Sequence, residues 1–428
     1  MKRAPALTFL ILLAVSPVTA QQIQEHPAVE GFVTRATAPS DFDVNAIRIM
    51  CDEKTSSGWS NSDTSFSGCP KKTPRLGEYV TIFGTLDKDR NLLEASRIFE
   101  HPLPFGEVSG SAVIDASPIR NAPGEPAGTI MVRADGYWIV LPFNADITLW
   151  GGMQSVEQVD ANTWIEYKGK MRSDGVVVAS RVKLIANVLN RRDERFRTKL
   201  RYDPASATTA PTQSSLSIAM TGVDVKRIPP SSDQASQDRV ERIGNRLIPS
   251  YQKQLPNTDP TKLNFHFVVV DRNVGEFPVP LPDGTILVPH SMVRRVPDDS
   301  QLAVLLADAV ASLLERQKLR TETAVRMISG GESVTSAAYV LLGGTVGLAA
   351  WAANERVHLR EEMKQSNRVS LVLLHDAGYD IDQAPLVWWA LSTDKPINET
   401  QPPGQAAELY RLLATVWSHP QPPVAAIP

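Results

Sequence analysis

The sequence predicts a multidomain protein. Its N-terminal half is all-β, built from two small OB-like or barrel-like modules, and its C-terminal half is mostly α-helical with a small β-sheet. Three observations predict this. A pattern of short alternating strands occurs twice between residues 29 and 187. A stretch rich in Ala, Thr, Ser and Pro follows it, and beyond that stretch apolar residues recur at helical spacing. A length of 428 residues agrees, because single cores stop growing at about 250–300 residues.

Taken in order, residues 1–20 read as a signal peptide. Lys2 and Arg3 supply the positive start, Leu7 to Val15 the apolar run, and Val18-Thr19-Ala20 a small-residue site that predicts cleavage between Ala20 and Gln21. The run is too short to span a bilayer. The predicted location is therefore secreted or periplasmic. Cys51 and Cys69 are the only cysteines, and export predicts a disulfide between them. With no C-x-x-C, that bridge reads as a staple over a polar loop and not as a redox centre. The formal charge of -3 becomes -5 once Lys2 and Arg3 are removed. Such mild acidity gives nucleic acid no electrostatic footprint.

The first β module, 29–103, opens with V-E-G-F-V-T, and the second, 107–187, with V-S-G-S-A-V. Their tails align: Gly84 with Gly169, Asp89 with Asp174, and Ala95-Ser96-Arg97 with Ala179-Ser180-Arg181. Each tail alternates apolar and polar residues around a D-K-D-R-N or R-S-D-G turn, a hairpin signature. Trp59, Phe66, Tyr137, Trp138 and Trp150 are the aromatics that a ligand-stacking face would use, although such side chains mostly pack into cores.

Residues 190–215 form a charged stretch and then a linker. In the helical domain, 216–420, Ser232 to Gln254 has helical spacing, while Phe265 to Asp271 and Thr285 to Val288 read as strands. Leu302, Leu305, Leu306, Ala309, Leu313 and Leu314 mark one face of a helix over Asp299 to Gln317. Residues 336–353 lack charge, but their Ala and Gly content predicts a buried helical hairpin more than a membrane segment. Glu355 to Ala377 forms a further helix.

Six segments in this half resemble, in order, the HtpX-like zinc metallopeptidases (metallopeptidase family forty-eight). They are R-V-E-R-I-G-N-R-L at Arg239, F-H-F-V-V-V-D at Phe265, F-P-V-P-L-P-D-G-T-I-L-V at Phe277, the helix at Gln301, the Ala/Gly-rich segment, and N-R-V-S-L-V-L-L-H-D-A-G-Y-D at Asn367. The resemblance implies a gluzincin-like fold in which one helix carries H-E-x-x-H and a later one E-x-x-x-D. Two His four apart share a helix face and can reach one metal, and the Glu takes a proton from the bound water. Here the His positions fall on Asp308 and Ser312, the catalytic Glu on Ala309, the third ligand on Met363 and its companion Asp on Asn367. These vestigial positions imply neither catalytic residues nor a metal site.

The resulting expectation is an exported, catalytically silent metallopeptidase-like protein that binds an unidentified protein or peptide, or serves as an envelope scaffold. It has no cofactor, no nucleic-acid partner and no favoured membrane contact. In the active family substrate peptides pair with a strand beside the active-site helix, which places a peptide-binding edge strand on Thr285, Ile286, Leu287 and Val288. One alternative is a zinc endopeptidase with a non-standard site, for which His358, Glu361 and Glu362 are the remaining metal candidates. A second is envelope-ligand binding through the β modules.

Overall fold

The computed structural model describes the chain except for residues 1–26, 60–64, 102–104, 187–226, 272–275, 282, 317–344, 392–403 and 423–428. The side chains of Trp59 and of residues 345–360 also lie outside the described residues. So do the expected signal peptide with its Ala20–Gln21 site, the linker, and residues 336–344.

The first module contains β1 (Val29–Ala38), β2 (Asp41–Val44), β3 (Ile47–Met50), β4 (Ser56–Trp59), β5 (Ser65–Ser67), β6 (Tyr79–Asp87) and β7 (Leu92–Glu100). The second contains β8 (Glu107–Val113), β9 (Ile119–Arg120), β10 (Ile130–Ala134), β11 (Tyr137–Leu141), β12 (Asp146–Trp150), β13 (Trp164–Met171) and β14 (Val177–Ile185). In the first, β3-β2-β1-β6-β7 closes into a ring because β3 also pairs with β7. In the second, β8-β13-β14-β11-β10 closes through the Ile114–Ala134 bridge. Both closures include a parallel pair, β3 with β7 and β11 with β14. The rings bury alternate residues such as Val80, Ile82 and Ile98, or Ile165, Val182 and Leu184, as half-buried strands require.

The repeat holds in detail. The β6–β7 and β13–β14 ladders each slip at a glycine, between Phe83 and Gly84 and between Lys168 and Gly169. A Cβ on either glycine would strike the partner strand's backbone, Glu94 O at 2.0 Å or Val178 O at 2.4 Å. The two-residue turns Asn45-Ala46 and Asp135-Gly136, all at positive φ, join equivalent hairpins. In the first module a disulfide joins Cys51 and Cys69 with Cα atoms 5.4 Å apart. By closing a loop of 18 residues it stabilises the fold by roughly 3 kcal/mol through the unfolded chain.

The C-terminal half comprises α1 (Gln234–Leu247), α2 (Ser250–Gln254), β15 (His266–Val270), β16 (Val279–Pro280), β17 (Thr285–Pro289), α3 (His290–Arg295), α4 (Asp299–Leu314), α5 (Thr345–Asp376), α6 (Gln383–Leu391) and α7 (Gly404–Thr415). The helical stretch expected over Ser232 to Gln254 is two helices divided at Pro249, whose missing N–H cannot continue a helix interior. Residues 345–353, expected within a hairpin, are the first turns of α5, which runs unbroken into the helix expected from Glu355. No helix among the described residues is long and apolar enough to cross a membrane.

The three-stranded sheet has the order β15-β17-β16. Thr285 to Val288 therefore lies at the centre of the sheet, which corrects the expected edge strand. β15 pairs along one side, and Val279 and Pro280 cover the other opposite Leu287 and Ile286. All five residues of β17 are buried.

The second module and the helical half share one continuous hydrophobic core, whereas the first module has its own. The first module contacts α7, where Phe32 stacks on Tyr410 with ring centroids 6.2 Å apart.

Candidate functional site

α4 begins at Asp298, whose side chain accepts the Gln301 N–H at 2.9 Å, satisfying one of the helix's free donors. The helix is then nearly all apolar. Leu302, Leu305, Leu306, Ala309 and Val310 are each no more than 2% exposed, and α4 packs along α5. The two helices that the resemblance pairs are thus neighbours.

On this frame Asp308, Ser312 and Met363 are each partly exposed, while Ala309 and Asn367 are buried. Asn367 Oδ1 accepts from Gln405 Nε2 at 3.0 Å, and its buried Nδ2 has no hydrogen-bond partner among the described residues. Zinc selects His, Cys and carboxylate donors; of these positions only Asp308 offers one, and the Ser312 hydroxyl and Met363 thioether do not complete a set, so the residues present do not fit that ion. Glu361 pairs with Lys364 at 2.8 Å. Glu362 faces the polar cleft described below. The side chain of His358 lies outside the described residues. No group of three or more metal-competent side chains occurs among the described residues.

Asp308 is the one ionisable side chain among the five vestigial positions. Although part of its side chain meets solvent, protein encloses it on most sides, and no partner balances its charge among the described residues. Desolvation pushes its carboxyl from the ordinary 3.8 up to about 7. The unfolded chain therefore releases this proton near pH 4 and the folded chain near pH 7, so stability falls as pH rises between them. The loss is on the order of a few kcal/mol, less what the solvent-facing part recovers. Asp308→Asn is expected to raise the urea midpoint at pH 8 and to flatten its slope between pH 4 and 7. Parallel profiles for the two chains would show that Asp308 ionises freely.

A cleft of about 680 Å³ opens between α5 and the outer face of β8, β13, β14 and β12. The registers place Ser111, Glu166, Lys183 and Thr148 on one rung across these strands, and Ser109, Lys168, Arg181 and Asp146 on the next. Acids and bases neutralise one another, Glu166 with Lys183 at 3.3 Å and Asp146 with Arg181 at 3.4 Å. Of the aromatics singled out from the sequence, Tyr137 and Trp138 are core residues, each 4% exposed, and Trp150 is 57% exposed. Lys183 Nζ sits 4.8 Å from the Trp150 ring centroid.

The floor of the cleft is a buried polar cluster that the sequence does not announce. Asp135 accepts from Arg368 Nη2 at 2.6 Å, from Tyr167 Oη at 2.8 Å and from Gln365 Nε2 at 3.3 Å. Burial opposes the Arg368 charge, but Asp135, Tyr137 and Tyr167 outweigh it and raise its pKa. Nearby, Arg133 joins Asp115 at 2.6 Å and Asp376 at 2.5 Å. These pairs tie the β10–β11 hairpin to the C-terminal part of α5. The only sequence signal for them is the D-G turn at Asp135. His290, unassigned from the sequence, bridges Asp271 at 2.8 Å and Asp233 at 2.9 Å, and so fastens the end of β17 to the cap of α1.

Compared with models of known families, with curated proteins and with solved structures, the chain matches none.

Proposed function

We propose that this chain is an exported, catalytically silent metallopeptidase-like protein that binds a protein or peptide partner. One observation carries the reading: α4 packs along α5, and the positions where the resemblance requires ligands and a base carry Asp308, Ser312, Met363 and Ala309. Loss of a general base typically costs about 10²–10⁴ in rate, and Ala309 has no group to accept a proton. The disulfide agrees with export. The ring order of the two β modules, with parallel closure, supports an OB-like reading of them.

The zinc endopeptidase alternative finds no suitable donor set among the described residues. Envelope-ligand binding through the β modules has an observation in its favour, because strands of the second module form one wall of the polar cleft and the exposed Trp150 lies on one of them. The test uses the purified mature chain. It is expected to hold no stoichiometric zinc, to leave unfolded casein intact and to retain immobilised peptides. Chelator-sensitive cleavage would sink the silent reading, and retention of no peptide would sink the binding one.

A further inference from the structure

The two β modules differ at one strand edge. In the first, β4 lies parallel to β7, with Ser56 opposite Arg97, and β5 pairs antiparallel along its outer side. In the second, β12 lies parallel to β14 in the same register, with Asp146 opposite Arg181. No strand pairs with its outer side among the described residues. The position that the first module fills from within its own disulfide loop has no occupant among the described residues of the second.

The open edge has the polarity of a binding strand. The Trp150 carbonyl accepts from Ala186 N–H on the β14 side. By alternation, Asp146 and Thr148 also direct their main-chain groups to β14, while Ile147 and Leu149 turn theirs outward. The first module agrees, since the Thr55 carbonyl accepts from Gly68 N–H on the β5 side. Natural edge strands are usually guarded by Lys, Pro or a bulge. β12 reads D-I-T-L-W and has no such guard. Two exposed large hydrophobics lie beside it and at its end, Phe143 at 96% and Trp150 at 57%.

We propose that β12 captures an extended segment of a partner protein as an added antiparallel strand, in the place β5 occupies in the first module. The inference rests on the binding half of the proposed function and moves the peptide site from β17 to β12. Main-chain hydrogen bonds supply affinity, and alternate side chains supply selectivity. By analogy with Phe66 opposite Ser57, the residue opposite Ile147 is apolar and packs on the core-facing side. The next residue lies opposite Asp146, whose side chain is 70% exposed and meets Arg181 at 3.4 Å, and is a cation that shares that carboxylate. The segment recognised is therefore extended, with an apolar residue followed directly by Lys or Arg.

The test selects short random peptides displayed on phage against the full chain, synthesises the winners and maps them by amide hydrogen exchange. Winners are expected to carry the apolar–cation pair and to slow exchange at Ile147 and Leu149. Asp146→Lys, on an exposed side chain, is expected to change the selected cation to Asp or Glu. Leu149→Pro removes one outward N–H and is expected to weaken binding by about tenfold or more. Peptides that bind but protect another surface, or a selection indifferent to Asp146→Lys, would overturn the site and leave the binding reading standing. Selection of no peptide would overturn both. A chain that dimerises with the same amides protected and no peptide present would assign the edge to a second copy instead.

Discussion

Replacing Arg368 with Leu is expected to lower the unfolding free energy by roughly 3–5 kcal/mol, the cost of leaving a buried charge without its partner. The Asp135 side chain is 0% exposed and that of Arg368 12%, so the variant leaves a buried carboxylate without its counter-charge. Tyr167 and Gln365 still donate to the carboxylate, but neither carries a compensating charge. The first module suggests the rescue. At the equivalent turn stands an amide, Asn45, which accepts from Phe32 N–H at 3.0 Å and donates to Glu30 O at 3.1 Å. Asp135→Asn combined with Arg368→Leu should therefore recover most of the loss, since replacing both partners of a buried pair is often close to neutral. Urea unfolding followed by tryptophan fluorescence checks this. A double variant no better than Arg368→Leu alone would show that Arg368 acts through packing over Tyr137, whose ring centroid is 5.2 Å away, and not through charge.

What was legible in the sequence was local or repeated. Gly84 and Gly169 align because each permits a bulge at which the partner backbone comes too close for a Cβ, so one physical constraint appears twice in the chain. The strand over Phe265 to Asp271 and the helix from Asp299 follow from apolar runs whose partners lie nearby. The edge assignment of β17 failed for a stated reason. P-V-P-L-P-D-G has no strand periodicity, yet Val279 and Pro280 pair back on β17 as a two-residue strand, where proline is tolerated at a sheet edge. The Asp135–Arg368 pair spans 233 positions, and neither residue stands out from its neighbours as anything but a surface charge. Trp150 shows the same limit, because composition puts tryptophans inside. It is 57% exposed at the end of β12, a place in the sheet that only the strand pairings reveal.

Asp308→His, Ser312→His and Met363→Glu, made together, are expected to give a chain that binds one zinc ion. Positions 308 and 312 lie one turn apart on the same face of α4, and both are partly exposed, as is Met363 on the adjoining α5. Two imidazoles and a carboxylate are a donor set that zinc accepts with its fourth position open. With zinc about a thousandfold above its dissociation constant, the folded state gains roughly 4 kcal/mol, seen as a rise in melting temperature that a chelator reverses. Metal analysis gives the stoichiometry. Casein should remain intact, because Ala309 still supplies no base, so metal binding and hydrolysis separate in one variant. If the triple variant folds as the parent does and takes up no zinc, positions 308, 312 and 363 do not meet at a common point. The metallopeptidase-like reading of the helical half then fails, and the open edge of β12, which depends only on the second β module, is unaffected.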